Sequence, residues 1–264
     1  MMIANYHTHT FRCGHAGTDG DESYVKEAIR QGFRILGFSD HTPWPYANGF
    51  SHTRVRMLLD QLPEYIASIR ALQEKYRGQI CIYAGLECEY FPAYMQWLKS
   101  IKDHFDFLIL GSHWAPSDEH GELYYSRATC QEEVAEYARY TLRGMETGFF
   151  RYLAHPDHVF SDYPEFDNAC IDASYALCHK AKQLDMPLEY NISGYIKRDT
   201  GKQKGLGFPC AAFWEIAAET GCTAILGIDA HSPEQLKAKA YLQEAQDTLV
   251  QLGIACMETL PGLE

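Results

Sequence analysis

What most narrows the folds open to this chain is a repeated alternation of short apolar runs and amphipathic helical stretches. Seven runs rich in Ile, Leu, Tyr and Phe, at about 2–6, 34–38, 80–86, 106–111, 151–154, 187–190 and 223–228, have the length and composition of buried strands. Between them, apolar residues recur at three- and four-residue steps. In the clearest stretch, 54–77, Val55, Leu58, Leu59, Leu62, Ile66, Ile69 and Leu72 share one face, with Pro63 as a candidate kink. Further helices are predicted over 21–31, 92–103, 130–147, 167–184, 209–220 and 233–252, the last opened by Ser232-Pro233-Glu234-Gln235, a capping-box start. Ile254 to Met257 is a candidate eighth strand. Strand-then-helix units repeated over 264 residues, with no internal repeat or long linker, favour an α/β fold in one domain, 1–264, as a closed or nearly closed parallel barrel.

Composition limits the function. With 23 Lys and Arg against 35 Asp and Glu the formal charge is -12, so an acidic surface disfavours phosphate backbones, and no stripe of basic and aromatic residues points to nucleic acid. The sequence lacks the ~18 uninterrupted apolar residues of a membrane span. The opening Met1-Met2-Ile3-Ala4-Asn5 lacks a basic region followed by an apolar run. A cytoplasmic setting with no membrane partner is expected. Nine cysteines, an odd number without a Cys-x-x-Cys pair, point to reduced thiols.

The histidines and carboxylates fall at one end of each predicted strand. His7 and His9 end the first, Asp40 and His41 the second, Glu87 the third, His113 the fourth, His155 the fifth, Asn191 the sixth, Asp229 and His231 the seventh. From His9 to Asp229 the steps average roughly 37 residues, the size of a strand-helix-return unit. In a parallel barrel these ends share a rim, so residues scattered along the chain converge. His-x-His and Asp-x-His put alternate side chains on the same side of an extended segment. Seven imidazoles, counting His15 of the first loop, and two carboxylates would repel or carry costly desolvated charge unless cations sat among them.

His7, His9, His15, His41, Glu87, His113, His155, Asp229 and His231 therefore read as metal ligands. They exceed what one ion takes while keeping an open position, so two or three ions are expected. Imidazole and carboxylate suit Zn²⁺, Mn²⁺ or Fe²⁺. Three divalent ions against Glu87 and Asp229 leave a local charge of about +4, which favours a phosphate ester. Cys13 and Cys88 are not read as ligands. His52, His104, His120, His158 and His179 are read as ordinary surface or core residues. In the 196–208 loop after the sixth strand, a cationic run from Lys197 to Lys204 supplies Arg198 as the expected phosphate contact.

These segments resemble the PHP superfamily, named for polymerase and histidinol phosphatase, and within it the monofunctional histidinol-phosphate phosphatases. The resemblance rests on His7-Thr8-His9-Thr10-Phe11-Arg12-Cys13-Gly14-His15-Ala16, Phe38-Ser39-Asp40-His41-Thr42-Pro43-Trp44, Gly85-Leu86-Glu87 and Gly111-Ser112-His113-Trp114. It continues through Ala154-His155-Pro156-Asp157, Glu189-Tyr190-Asn191-Ile192-Ser193-Gly194 and Gly227-Ile228-Asp229-Ala230-His231. It implies a distorted TIM-like barrel, (β/α)7 in type, with the active site at the C-terminal ends of the strands. It also implies a trinuclear metal centre and hydrolysis of L-histidinol phosphate to L-histidinol and phosphate in histidine biosynthesis. By motif, His7, His9 and Asp229 would hold one ion, His113 and His155 a second, Glu87 would bridge the two, and His15, His41 and His231 would hold a third. Glu87, Asp229 and His231 are the expected catalytic positions. A water bridging two cations ionises near neutral pH and can attack phosphorus in line. Rival readings are a PHP-type phosphoesterase on another phosphomonoester or nucleic-acid end, a metal-dependent amidohydrolase, and a non-enzymatic metal-binding scaffold.

Overall fold

The computed structural model describes residues 2–264. Its strands are β1 (Ala4–Asn5), β2 (Ile35–His41), β3 (Cys81–Cys88), β4 (Phe107–Leu110), β5 (Leu188–Asn191), β6 (Thr223–Gly227) and β7 (Ala255–Met257). All pair in parallel, β1 to β4 in one sheet and β5 to β7 in another. Isolated bridges join the two sheets. Leu153 pairs with Leu110 and Leu188, and Thr8, beyond β1, pairs with Ala230, beyond β6. The order is thus β1, β2, β3, β4, Leu153, β5, β6 and back to Thr8, a distorted TIM-like barrel.

The predicted fifth strand, 151–154, shrinks to that single bridge. Its backbone still bonds both neighbours, Ala154 N–H to Leu110 O and Glu189 N–H to Leu153 O, each at 2.8 Å. Extension stops because His155 turns to φ 29° and Pro156 has no N–H to donate. The candidate eighth strand forms as β7, against the lower part of β6. Above it Asn5 closes the seam between the ends of β1 and β6. Its Oδ1 accepts from Ile228 N–H at 3.0 Å, and its Nδ2 donates to His7 O at 2.9 Å and Thr8 Oγ1 at 2.8 Å.

Below the rim the barrel is filled by Tyr6, Ile35, Phe107, Ile109, Tyr152 and Ile225, with Leu260 and Leu263 of the C-terminal turn packed against them. A Cβ at Gly85 would lie 2.6 Å from the Phe107 ring, so only glycine lets that ring fill the interior. The outer faces of the sheet pack in a larger core against the helices. These are α1 (Asp21–Gln31), α2 (Leu62–Lys75), α3 (Met95–Ile101), α4 (Gln131–Met145), α5 (Asn168–Gln183), α6 (Ser193–Asp199), α7 (Ala211–Glu219) and α8 (Lys239–Gln251). Among the described residues no helix is long and apolar enough to cross a membrane.

Three helices depart from the sequence pattern, one of them α8, which starts at Lys239 because Pro233–Lys237 after the Ser232 cap form a separate 3-10 segment. α2 starts eight residues later than the apolar stripe, because Pro63 takes the first turn, where its missing N–H has no intrahelical acceptor to lose. The stretch 54–61 is left as turns and a short 3-10 segment. α6 occupies the first part of the predicted 196–208 loop; its seven residues are too few to generate a periodic signal.

Asn5 is fully buried, so Asn5→Ala should strand the Ile228 N–H and cost about 1–3 kcal/mol. Urea unfolding of the variant checks this. An unchanged midpoint would show that the seam does not depend on that side chain.

Candidate metal centre

The nine predicted ligand positions arrive at one rim. His7 and His9 follow β1, His41 ends β2, Glu87 stands near the end of β3, and His113 follows β4. His155 follows the Leu153 bridge, Asp229 and His231 follow β6, and His15 comes in from the loop before α1. Glu87 lies at the centre, 1% exposed. Its Oε2 is 3.0 Å from His41 Nδ1, 3.4 Å from His7 Nε2 and 3.5 Å from His9 Nε2. Its Oε1 is 2.8 Å from His155 Nε2 and 3.5 Å from His113 Nε2. Asp229 Oδ1 lies 3.2 Å from His9 Nε2 and 3.5 Å from His7 Nε2. On the solvent side, His231 Nε2 and His15 Nε2 are 2.8 Å apart.

The donor set fits cations better than it fits itself. His7 Nε2, both ring nitrogens of His9, His41 Nδ1, His155 Nδ1 and Glu87 Oε2 are buried without a hydrogen-bond partner. Each such atom costs about 1–3 kcal/mol if left unsatisfied. Ions seated among the inward-facing lone pairs would remove most of that cost. Charge states favour this. Burial pushes the His41 pKa well below its usual value. Burial, aided by the neighbouring imidazole, lowers His15 and His231 to about 4. Burial alone would raise Glu87, yet His113, His7 and His41 hold it well below the usual carboxylate range. His7 and His155 are exceptions: burial works to lower both, but Glu189, Asp229 and Glu87 together raise His7, and the hydrogen bond and charge of Glu87 raise His155.

A second layer orients the imidazoles. Glu189 on β5, fully buried, accepts from His7 Nδ1 at 2.8 Å, His155 N–H at 3.0 Å and Asn191 Nδ2 at 2.8 Å. Glu89 accepts from His113 Nδ1 at 3.1 Å. Donation from Nδ1 leaves Nε2 as the lone-pair atom facing the centre. The sequence reading missed both carboxylates. Their signal was period two: Glu89 lies two residues past Glu87, and Glu189 two before Asn191. Backbone strain gathers here as well, since His155 and Asp229 adopt φ of 29° and 57°.

Groups of these side chains could each hold an ion, among them His7, His9 and Asp229; His7, Glu87 and His155; and His9, His41 and His231. Cys13 also comes within ligand reach of His15 and His231, but burial raises its thiol pKa well above normal. All nine cysteines are free thiols, as the sequence suggested.

Arg198, the expected phosphate contact, stands on α6 with its guanidinium on Glu244 at 2.6 Å and Asp199 at 2.8 Å, and it is not among the residues lining the cleft. Its neighbour Lys197 lines the cleft over the ligands, a space of about 330 Å³ whose wall includes Tyr124, His158 and Phe208. The Lys197 ammonium sits 4.6 Å over the Phe208 ring. His158, read from the sequence as structural, is part of this wall and lies 3.3 Å from the Tyr124 hydroxyl.

A family model described as PHP domain matches residues 5–186. A protein of Deinococcus radiodurans named "Probable histidinol-phosphatase" is 29% identical over 250 residues, spanning 89% of this chain and 88% of its own. A histidinol-phosphatase of Bacillus subtilis is 30% identical over 124 residues, 45% of this chain and 46% of its own. A solved histidinol phosphate phosphatase from Lactococcus lactis, complexed with zinc, L-histidinol and phosphate, is similar at a TM-score of 0.72 and 20% identity over 97% of this chain and 95% of its own.

Gly111 tests the geometry, because a Cβ there would lie 2.1 Å from Glu87 Oε1. Gly111→Ala should displace the central carboxylate and weaken divalent-ion binding by about tenfold or more, read by calorimetric titration. Unaltered binding would remove Glu87 from the centre.

Proposed function

The chain belongs to the PHP domain family, and from that premise we propose that it is a metal-dependent histidinol-phosphatase. In this reading it hydrolyses L-histidinol phosphate to L-histidinol and phosphate, as one barrel domain in the cytoplasm, within histidine biosynthesis. The observation that carries the proposal is the set of buried, unpartnered nitrogens His7 Nε2, His9 Nε2 and His41 Nδ1 around the equally unpartnered Glu87 Oε2. We assign His7, His9 and Asp229 to one ion and His113 and His155 to a second, with Glu87 between them. His15, His41 and His231 take a third. Bound divalent ions supply Lewis-acid polarisation of phosphoryl oxygens and a water acidic enough to ionise near neutral pH.

The chain's own residues do the rest. Glu189 and Glu89 hold imidazoles with Nε2 inward, so the centre needs little reorganisation when substrate arrives. Asp229, with side chain 16% exposed, faces both the ligand cluster and the cleft. Ser193 Oγ, 3.3 Å from Asp229 Oδ2, and Asn191 Nδ2, at 3.5 Å, restrain it. Lys197 and Lys202 line the cleft and give a protein of charge -12 local cations for an anionic substrate. The aromatic wall of Tyr124, His158 and Phe208 suits the flat imidazole of histidinol.

Phosphate release from a panel of phosphomonoesters and amides, with elemental analysis of the same protein, tests the reading. Histidinol phosphate should be the preferred substrate, with two or three transition-metal ions per chain, and a chelator should abolish turnover. One ion or fewer in active protein, or full activity in chelator, would contradict it; amide hydrolysis would favour the amidohydrolase alternative.

Substrate-side charge is checked separately. Lys197→Ala should keep its metals and lose about 1.5–3 kcal/mol in kcat/KM. Arg198→Ala should stay near wild type. The reverse order of effects would return the phosphate contact to Arg198.

A further inference from the structure

We propose that Arg56 is a positioning residue for the metal centre, acting on His113 through Glu89; this rests on the metal-dependent reading above. Arg56 is 1% exposed. Its Nη2 donates to Glu89 Oε1 at 2.7 Å, its Nε to Asp118 Oδ2 at 2.9 Å and its Nη1 to Thr42 O at 3.2 Å. Glu89 Oε1 is the same atom that accepts from His113 Nδ1 at 3.1 Å. The other oxygen, Oε2, accepts from Trp44 Nε1 at 3.2 Å. Asp118 is fixed in turn by the Tyr46 hydroxyl at 2.5 Å and His52 Nδ1 at 2.9 Å. The guanidinium lies between the rings of Phe91, at 5.7 Å, and Trp114, at 5.6 Å.

Packing alone does not explain this arrangement. Burying a guanidinium and two carboxylates costs several kcal/mol per ion before the pairs form, and apolar side chains of similar volume would fill the space at least as well. What the ionic cluster supplies is direction. An arginine fork bonded to two separate carboxylates has a defined plane, and that plane sets where Glu89 Oε1 stands.

His113 has particular need of such an anchor. It lies three residues beyond the end of β4, outside any ladder. His7, by contrast, is bonded through Glu189 to β5, and His41 is itself the last residue of β2. The late start of α2 has a purpose in this light: residues 54–58 remain non-helical and carry Arg56 into the cluster. His52, which the sequence suggested was an ordinary histidine, closes the far end of the network.

The test is metal affinity, measured by chelator competition on the full chain, with the absorption spectrum of the Co²⁺-loaded protein as a second readout. Arg56→Lys keeps the charge but cannot span both carboxylates, and Asp118→Asn loosens Arg56 without touching any ligand. Glu89→Gln, close in shape, is the further variant should either of these fail to fold by circular dichroism. Folded variants should release their weakest ion about 10–100-fold more readily, with an altered Co²⁺ spectrum and kcat/KM restored by excess metal ion. Wild-type protein that binds no ions would overturn the functional reading and this inference together. Loaded wild type alongside variants of unchanged affinity and spectrum, even with lowered melting temperature, would overturn this inference alone and leave the cluster as a structural brace.

Discussion

The arrangement turns on one buried carboxylate. Glu87 is 1% exposed and meets five imidazoles within 3.5 Å. An ionised carboxylate in so dry a place demands positive charge close by. Protonated imidazoles could supply it only by repelling one another, and burial drives His9 and His41 toward neutrality. Divalent ions supply the charge without that conflict. Much of the barrel can be read as a device for holding Glu87 where it is: glycine at 111 leaves it room, and the pairing of Thr8 with Ala230 brings the segments after β1 and β6 to it.

Around Glu87 the structure is layered. The nine candidate ligands form the inner layer, and Glu189 and Glu89 orient two of their imidazoles, His7 and His113, from behind. Arg56 and Asp118 stand behind Glu89. Each layer answers an electrostatic demand set by the one inside it, which is why so many charged groups are buried in one half of the barrel. The substrate side is built differently. Lys197 and Lys202 stand in the α6 region and its following loop, exposed over much of their area, and line the cleft.

The convergence of the nine predicted positions was legible because eight of them sit at the ends of buried strands, where period-two alternation and barrel topology fix which way side chains face. His15 was accessible only through its place in the opening motif, since no strand carries it. The outer residues were harder. Glu189 lay in plain view on a strand, yet a carboxylate in an apolar run gives no sign of what it bonds until the neighbouring strand is known. Arg56 was hidden by the apolar stripe of 54–77, which continues through residues that the Pro63 start leaves out of the helix. The ion pairs of Arg198 were out of reach for a related reason. Adjacent residues on a helix point about 100° apart, so choosing between Lys197 and Arg198 needed the short helix α6, and Glu244 on α8, which captures the arginine.

The central claim is that this rim holds several divalent ions around Glu87, and anomalous X-ray scattering from crystals of the purified, metal-loaded protein tests it most directly. Two or three peaks should lie about 2.0–2.2 Å from the inward nitrogens and carboxylate oxygens of the nine residues, with one pair of peaks sharing Glu87. A single peak, or peaks that leave Glu87 without an ion, would contradict the account.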